Sequence, residues 1–115
     1  MQASTIDLGT WAGGNQGRGR LLICPTQASI DPWGQVLHEG DVEAQLNWAL
    51  RGVRSLLGRA GYSLDDVVVL HVRTTDVEAC EAYFEQLGRE PTTLIRASTL
   101  SRPGVLVEVS AVAAR

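Results

Sequence analysis

The fold is decided by the stretch DVEAQLNWALRGVRSLLGRAGYSLDDVVVLHVRTTD, residues 41–76, in which a helix pattern leads directly into a strand pattern. A helix is predicted over Asp41 to Ala60, because apolar side chains recur there at three- and four-residue steps. The resulting stripe consists of Val42, Leu46, Ala49, Val53, Leu57 and Ala60. Gly61 stands where a helix C-cap is expected. A helix with one apolar stripe must cover another layer, and the adjacent strands are the expected partner.

The segment that follows predicts a buried strand and then a second helix. Val67 to Thr74 is rich in β-branched residues and short enough for a buried strand. Asp76 can cap the second helix, and Gly88 stands at its end. Its inner face is predicted to carry Val77, Cys80, Tyr83, Phe84 and Leu87.

The N-terminal part of the chain is predicted to form strands and turns. Ala3 to Leu8 alternates and makes a short strand, whereas the glycine-rich segment from Gly9 to Arg20 is typical of a loop. Leu21 to Cys24 is a continuous apolar run, and Gln27 to Ile30 continues it towards the turn DPWG, residues 31–34. A return strand is expected after this turn.

Two further strands are predicted near the C-terminus, Thr92 to Ser98 and Val105 to Val112, joined by a turn at Pro103-Gly104. The order is therefore β-β-β-α-β-α-β-β within one domain spanning residues 1–115. It predicts an α+β fold of two layers, a mixed β-sheet with two helices on one face. On the last strand both faces are largely apolar, so the face without helices is expected to meet another subunit.

Composition excludes several classes of partner. The chain has 115 residues, a formal charge of −3 and 20% charged residues, and its basic residues are scattered arginines. Nucleic acid is therefore disfavoured, since binding it requires clustered cations. No stretch approaches the roughly 20 apolar residues of a membrane span, and a cytoplasmic location is expected. Cys24 and Cys80 lack the spacing of a zinc or redox site and predict buried free thiols.

Three segments, residues 24–41, 41–76 and 100–113, resemble the Rid family of reactive intermediate deaminases, also called YjgF-like, over nearly the whole chain. The resemblance implies a chorismate-mutase-like fold and a homotrimer with clefts between subunits. It also implies a small-molecule ligand and neither a metal nor a cofactor. Family members with deaminase activity hydrolyse imines and enamines to 2-keto acids and ammonia, so the expected activity is that of an imine deaminase, a hydrolase, or a tautomerase.

The family pattern places the water-positioning acid on Glu108, in LVEVSA. The carboxylate-binding Arg of the family is absent, because Thr92 and Thr93 stand in its place. Thr26 falls where backbone amides line the family pocket, and Trp11 falls in the aromatic N-terminal loop. A charge-assisted bond to a carboxylate contributes roughly 1.5 to 3 kcal/mol, so losing the Arg disfavours small imino acids and favours an uncharged ligand.

Other polar residues remain candidates. His71 and Arg73 share one face of their strand and either line the cleft or serve as interface residues. Arg96 lies three residues after Thr93, an odd spacing that sends it to the opposite face of a regular strand. Three hypotheses stay open: a Rid-like hydrolase or tautomerase, a tailoring enzyme of specialised metabolite biosynthesis, and a ligand-binding trimer without turnover.

Overall fold

A computed structural model of the chain describes residues 3–10, 18–88, 92–100 and 102–115. Its elements are β1 (Ser4–Thr10), β2 (Arg18–Ala28), α1 (Val42–Arg59), a 3-10 turn (Leu64–Asp66), β3 (Val67–Thr74), α2 (Val77–Leu87), β4 (Thr92–Ala97) and β5 (Val107–Ala114). The described strands form one sheet in the order β1-β2-β5-β3-β4. Only β3 and β4 are parallel among these neighbours. The predicted fold, two helices packed on a mixed sheet, is confirmed.

Helix α1 begins and ends where the sequence predicts. The Asp41 carboxylate accepts the backbone N–H of Ala44 at 3.0 Å, and Gly61 follows the helix with a φ of +80°. The middle of the predicted stripe is buried against β2 and β5: Leu46, Ala49, Val53 and Leu57. Val42 is half-buried, and the prediction for Ala60 is wrong, because this residue follows the last helical residue and is exposed. No helix in the described part of the chain has the length and apolar character that a bilayer crossing requires.

Helix α2 connects the two parallel strands, because parallel neighbours need a crossover between them. The predicted N-cap is confirmed, since the Asp76 carboxylate accepts a first-turn backbone N–H at 3.1 Å. Cys80 is buried on the inner face, while Tyr83 and Phe84 are half-buried. The prediction for Leu87 is wrong: it is 41% exposed, because the last turn of α2 extends beyond the core.

The N-terminal hairpin is longer than predicted. Gly9 pairs with Gly19 and Thr10 with Arg18, so both ends of the presumed loop from Gly9 to Arg20 belong to strands. Backbone pairing across the hairpin does not need the apolar pattern by which strands are recognised in a sequence. Residues 11–17 lie outside the described part of the chain.

The region between β2 and α1 also differs from expectation. The two predicted extended segments form one strand, β2, with an irregularity between Cys24 and Gln27. The prediction of a return strand after the DPWG turn is wrong, since the chain makes a single bridge there between Ile30 and Val36. Asp31 orders the turn instead, because its carboxylate accepts two backbone N–H groups at 2.9 Å.

Strand β5 runs through the centre of the sheet and separates two environments. Its helix-facing residues are almost completely buried: Val107, Val109, Ala111 and Ala113. Glu108, Ser110 and Val112 project to the opposite side. We call this side, which α1 and α2 do not cover, the open face. Apolar side chains there remain accessible, with Ile23 38% and Leu94 47% exposed.

Candidate functional site

Strand pairing brings three charged residues together on the open face. β5 is antiparallel to β3, with Glu108 opposite Arg73, and β3 is parallel to β4, with Arg73 opposite Arg96. Residues directly opposite each other in a sheet project to the same face. Glu108, Arg73 and Arg96 therefore form one line across three strands, which we call the charged row.

Glu108 is the buried member of the charged row. It is 6% exposed, and its Oε1 lies 3.5 Å from Nη2 of Arg73, whose side chain is 47% exposed. Burying an unpaired carboxylate is costly, and the guanidinium offsets that cost. Glu108 projects from a central strand whose neighbouring valines are anchored in the core. Its carboxylate is thus a charged group held on a rigid support, next to a cation that remains partly open to solvent.

His71 lies beside the charged row. It pairs with Ser110 on β5 and with Leu94 on β4, two residues along β3 from Arg73. That step corresponds to about 7 Å. The imidazole is half-buried. Glu108, Arg73 and His71, which the sequence singled out separately, therefore belong to one region of the open face.

The two threonines that replace the family Arg lie on different faces. Thr92 is exposed on the open face, where it pairs with Val69 at the start of β4. Thr93 pairs with Leu70, which is 2% exposed in the core, so Thr93 projects towards the helices. The prediction that Arg96 and Thr93 project to opposite faces is confirmed. The two threonines are therefore not both available to one ligand on the open face.

Thr26 lies two residues before Ala28, the residue of β2 that pairs with Glu108. Thr26 is exposed at the irregularity in β2, where its carbonyl accepts the side-chain amide of Gln27 at 3.2 Å. Trp11 lies outside the described residues.

Gln45 on α1 has a larger structural role than the sequence indicated. It is fully buried, and its Nε2 donates to the Gly104 carbonyl at 2.9 Å while its Oε1 accepts the Leu106 N–H at 2.8 Å. The Leu106 carbonyl accepts the Thr74 hydroxyl at 2.8 Å. Both polar backbone groups of Leu106 are thus held by buried side chains, which fixes the chain two residues before Glu108. The sequence signal for this role was an amide beside the apolar stripe.

The two thiols are not part of a reactive site. Cys24 and Cys80 are free and buried, which confirms the prediction. Burial raises the pKa of both thiols, so the nucleophilic thiolate is disfavoured. At Cys80 the neighbouring Asp76 raises the thiol pKa further, and a hydrogen bond with Thr74 opposes this effect. Among the described residues, no group of three or more His, Cys, Asp and Glu side chains is arranged to hold a metal ion.

A hollow on the helix layer is separate from this site. It has a volume of about 560 Å³ and is lined by Asp41, Glu43, Ala44, Asn47 and Tyr83. The Tyr83 hydroxyl donates to Asn47 at 3.3 Å, and burial raises the pKa of the phenol. None of the residues predicted for the functional site lines this hollow.

Comparison with known proteins decides which family this fold and site represent. A family model described as endoribonuclease L-PSP matches residues 10–115. The chain belongs to this family, also known as the YjgF or Rid family. A RutC family protein from Pyrococcus horikoshii is 30% identical over 100 residues, which cover 83% of this chain and 79% of the relative.

Solved structures of Rid proteins share the fold. A YjgF-family protein from Mycobacterium tuberculosis is 25% identical, with a TM-score of 0.66 over 96% of this chain and 98% of that protein. TdcF from Escherichia coli, solved with bound serine, is 22% identical, with a TM-score of 0.70 over 96% of this chain and 85% of TdcF. The Rid fold therefore extends over nearly the whole of this chain.

Proposed function

We propose that this Rid protein is a cofactor-free enzyme that acts on an imine, an enamine or a related reactive intermediate, with Glu108 carrying the acid–base step. The observation that carries the proposal is the 6% exposed carboxylate of Glu108 on the open face, with the Arg73 guanidinium at 3.5 Å. A buried charged group on a surface that could hold a ligand is a candidate for catalysis. Glu108 also matches the acidic position of the family pattern.

The proposed assembly is a homotrimer with pockets at the subunit boundaries. Ile23 and Leu94 on the open face are 38% and 47% exposed, and α1 and α2 pack on the other side of the sheet. These apolar side chains lie on a sheet face without a helix layer, and a second copy of the chain would cover them. The charged row would then lie in a pocket between subunits.

The proposed reaction is hydrolysis of a carbon–nitrogen double bond. Water adds to the imine carbon, and Glu108 accepts a proton from it as the new C–O bond forms. Protonation of the nitrogen then allows the C–N bond to break. Ammonia leaves and a carbonyl compound remains, so one water is consumed and no electron acceptor is required. If the same carboxylate instead moved a proton between carbon and nitrogen, the protein would be a tautomerase. A tailoring step in a biosynthetic pathway could use either reaction.

The second candidate function is ligand binding without turnover. It is favoured by the threonines at the position of the family Arg, since the family's carboxylate contact is lost there. RNA cleavage, which the family description names, is disfavoured because the chain carries a formal charge of −3.

The test is the variant Glu108→Gln, which keeps the shape of the side chain and removes the carboxylate. Hydrolysis is measured with 2-iminopropanoate, generated by a dehydratase, and with an uncharged imine. The variant should remain a trimer by light scattering and lose about a hundredfold or more in rate, the range of general-base catalysis. Glu85→Gln, an exposed position on α2, is the matched control and should retain full activity.

Three outcomes would contradict the proposal. Unchanged turnover in Glu108→Gln would remove the carboxylate from the mechanism. Loss of assembly in the same variant would make Glu108 an interface residue. Ligand binding by the native protein without any turnover would establish the second candidate instead.

A further inference from the structure

The two arginines of the charged row are neighbours of like charge. Arg73 and Arg96 are direct partners in the parallel register of β3 and β4. Adjacent strands lie about 4.8 Å apart, so the two guanidinium groups project from neighbouring positions on the open face. Like charges directly opposite each other destabilise a sheet. An anion bound between the two arginines would relieve this repulsion.

Only one of these two positive charges is balanced by the described chain. Arg73 faces Glu108, whereas no ion pair between Arg96 and a carboxylate exists among the described residues. Arg96 is exposed, and Arg73 keeps 47% of its side chain exposed. With two arginines and one glutamate, the charged row has an excess of one positive charge within reach of solvent.

The geometry points to an oxyanion subsite formed by Arg96 with Arg73, which binds a carboxylate or phosphate group of the substrate. A guanidinium presents parallel N–H donors that match either oxyanion in a bidentate manner. Arg96 supplies the unbalanced charge, and Arg73 lies between the oxyanion and Glu108. The inference rests on the proposed function in placing the reacting carbon near Glu108, while binding of the oxyanion does not depend on turnover.

This subsite changes the expected substrate class. Thr93 projects to the helix side, so the missing guanidinium at that position does not remove positive charge from the open face. Glu108 and Arg96 are separated by two strand spacings, roughly 10 Å between Cα atoms. One small molecule can therefore present its oxyanion to Arg96 and its reactive carbon to Glu108. The substrate is an anionic imine or enamine, in contrast to the uncharged ligand that the sequence favoured.

The test measures binding of inorganic phosphate and of propanoate to the full chain by NMR titration at low ionic strength. Arg96→Gln should weaken binding about tenfold or more, the loss expected for a charge-assisted hydrogen bond. Arg59→Gln, in the last turn of α1, removes the same charge from the helix layer and should leave the affinity unchanged. The probe that binds more tightly identifies a carboxylate or a phosphate as the preferred group.

A third variant tests the arrangement of the charged row. Glu108→Gln removes the carboxylate that competes for Arg73, so anion affinity should increase. The increase should require Arg96, so it should be absent when Arg96→Gln is combined with Glu108→Gln. The native protein should also bind both probes more weakly as salt is added, because the interaction is between accessible charges.

Specific results would overturn the inference. Equal losses of affinity in Arg96→Gln and Arg59→Gln would mean that only the total charge matters. Dissociation of the assembly in Arg96→Gln, with anion affinity unchanged, would mean that Arg96 binds a carboxylate of a neighbouring subunit. If anion affinity depends on Arg96 but no imine is hydrolysed, only the proposed function is refuted. If hydrolysis requires Glu108 but anion affinity is unchanged in Arg96→Gln, only the inferred subsite is refuted.

Discussion

Replacing Gln45 by Met should destabilise the protein strongly, because the amide of Gln45 satisfies backbone groups that have few other partners. Met keeps the length of the side chain and removes its hydrogen bonds. Gln45 Nε2 lies within 3.3 Å of the carbonyl oxygens of Leu37, His38 and Gly104, and its Oε1 accepts the Leu106 N–H. The side chain is 0% exposed, so water has no direct access to replace these bonds.

The size of the loss in the free energy of unfolding depends on which of these backbone groups keep another hydrogen bond. The Leu37 carbonyl also accepts the Ser29 hydroxyl, and the His38 carbonyl accepts the Asp41 N–H. The Gly104 carbonyl and the Leu106 N–H have no second described partner. Each buried polar group left unpaired costs about 1–3 kcal/mol, so the free energy of unfolding should fall by about 2–6 kcal/mol.

The assay is urea denaturation followed by circular dichroism, at one protein concentration because assembly makes stability depend on concentration. The matched control is Gln86→Met on the exposed side of α2, which should stay within about 0.5 kcal/mol of the native protein. A decrease below about 1 kcal/mol in Gln45→Met would refute the reasoning, since the unpaired groups would then have found other partners.

The further predictions concern α1 and the thiols. Gly58→Ala should raise the free energy of unfolding by about 0.4–1 kcal/mol, because the new methyl group meets nothing within 4 Å. Gly52→Ala should give no such gain, since its Cβ would lie 2.8 Å from Oε1 of Gln27; equal stabilisation in thermal unfolding would contradict this. Cys24 and Cys80 should resist iodoacetamide until the protein unfolds. Because burial raises the pKa values of both thiols, the folded state binds protons more tightly than the unfolded state. The free energy of unfolding should therefore fall as pH rises above the ordinary thiol pKa. An increase in the urea midpoint in that pH range would exclude this effect.

The helices and their caps could be predicted because their signals are local. The apolar spacing between Val42 and Leu57 specifies which side of α1 is buried, and carboxylates at Asp41 and Asp76 accept the N–H groups of the first turns. Alternation along β5 likewise indicated the side to which Glu108 projects. These features depend on residues that are near each other in the chain, so they are present in the sequence pattern itself.

The composition of the charged row was decided only by the tertiary structure. The sequence could place Arg96 and Thr93 on opposite faces of their strand. It could not say which strand would lie beside β4 or in what register. The predicted turn between the last two strands gives no indication that β5 lies between β2 and β3. Strand pairing joins residues distant in the chain, such as Arg73 and Glu108, and is selected by burial of the whole helix-facing side. That non-local selection places two arginines and one carboxylate in a single row.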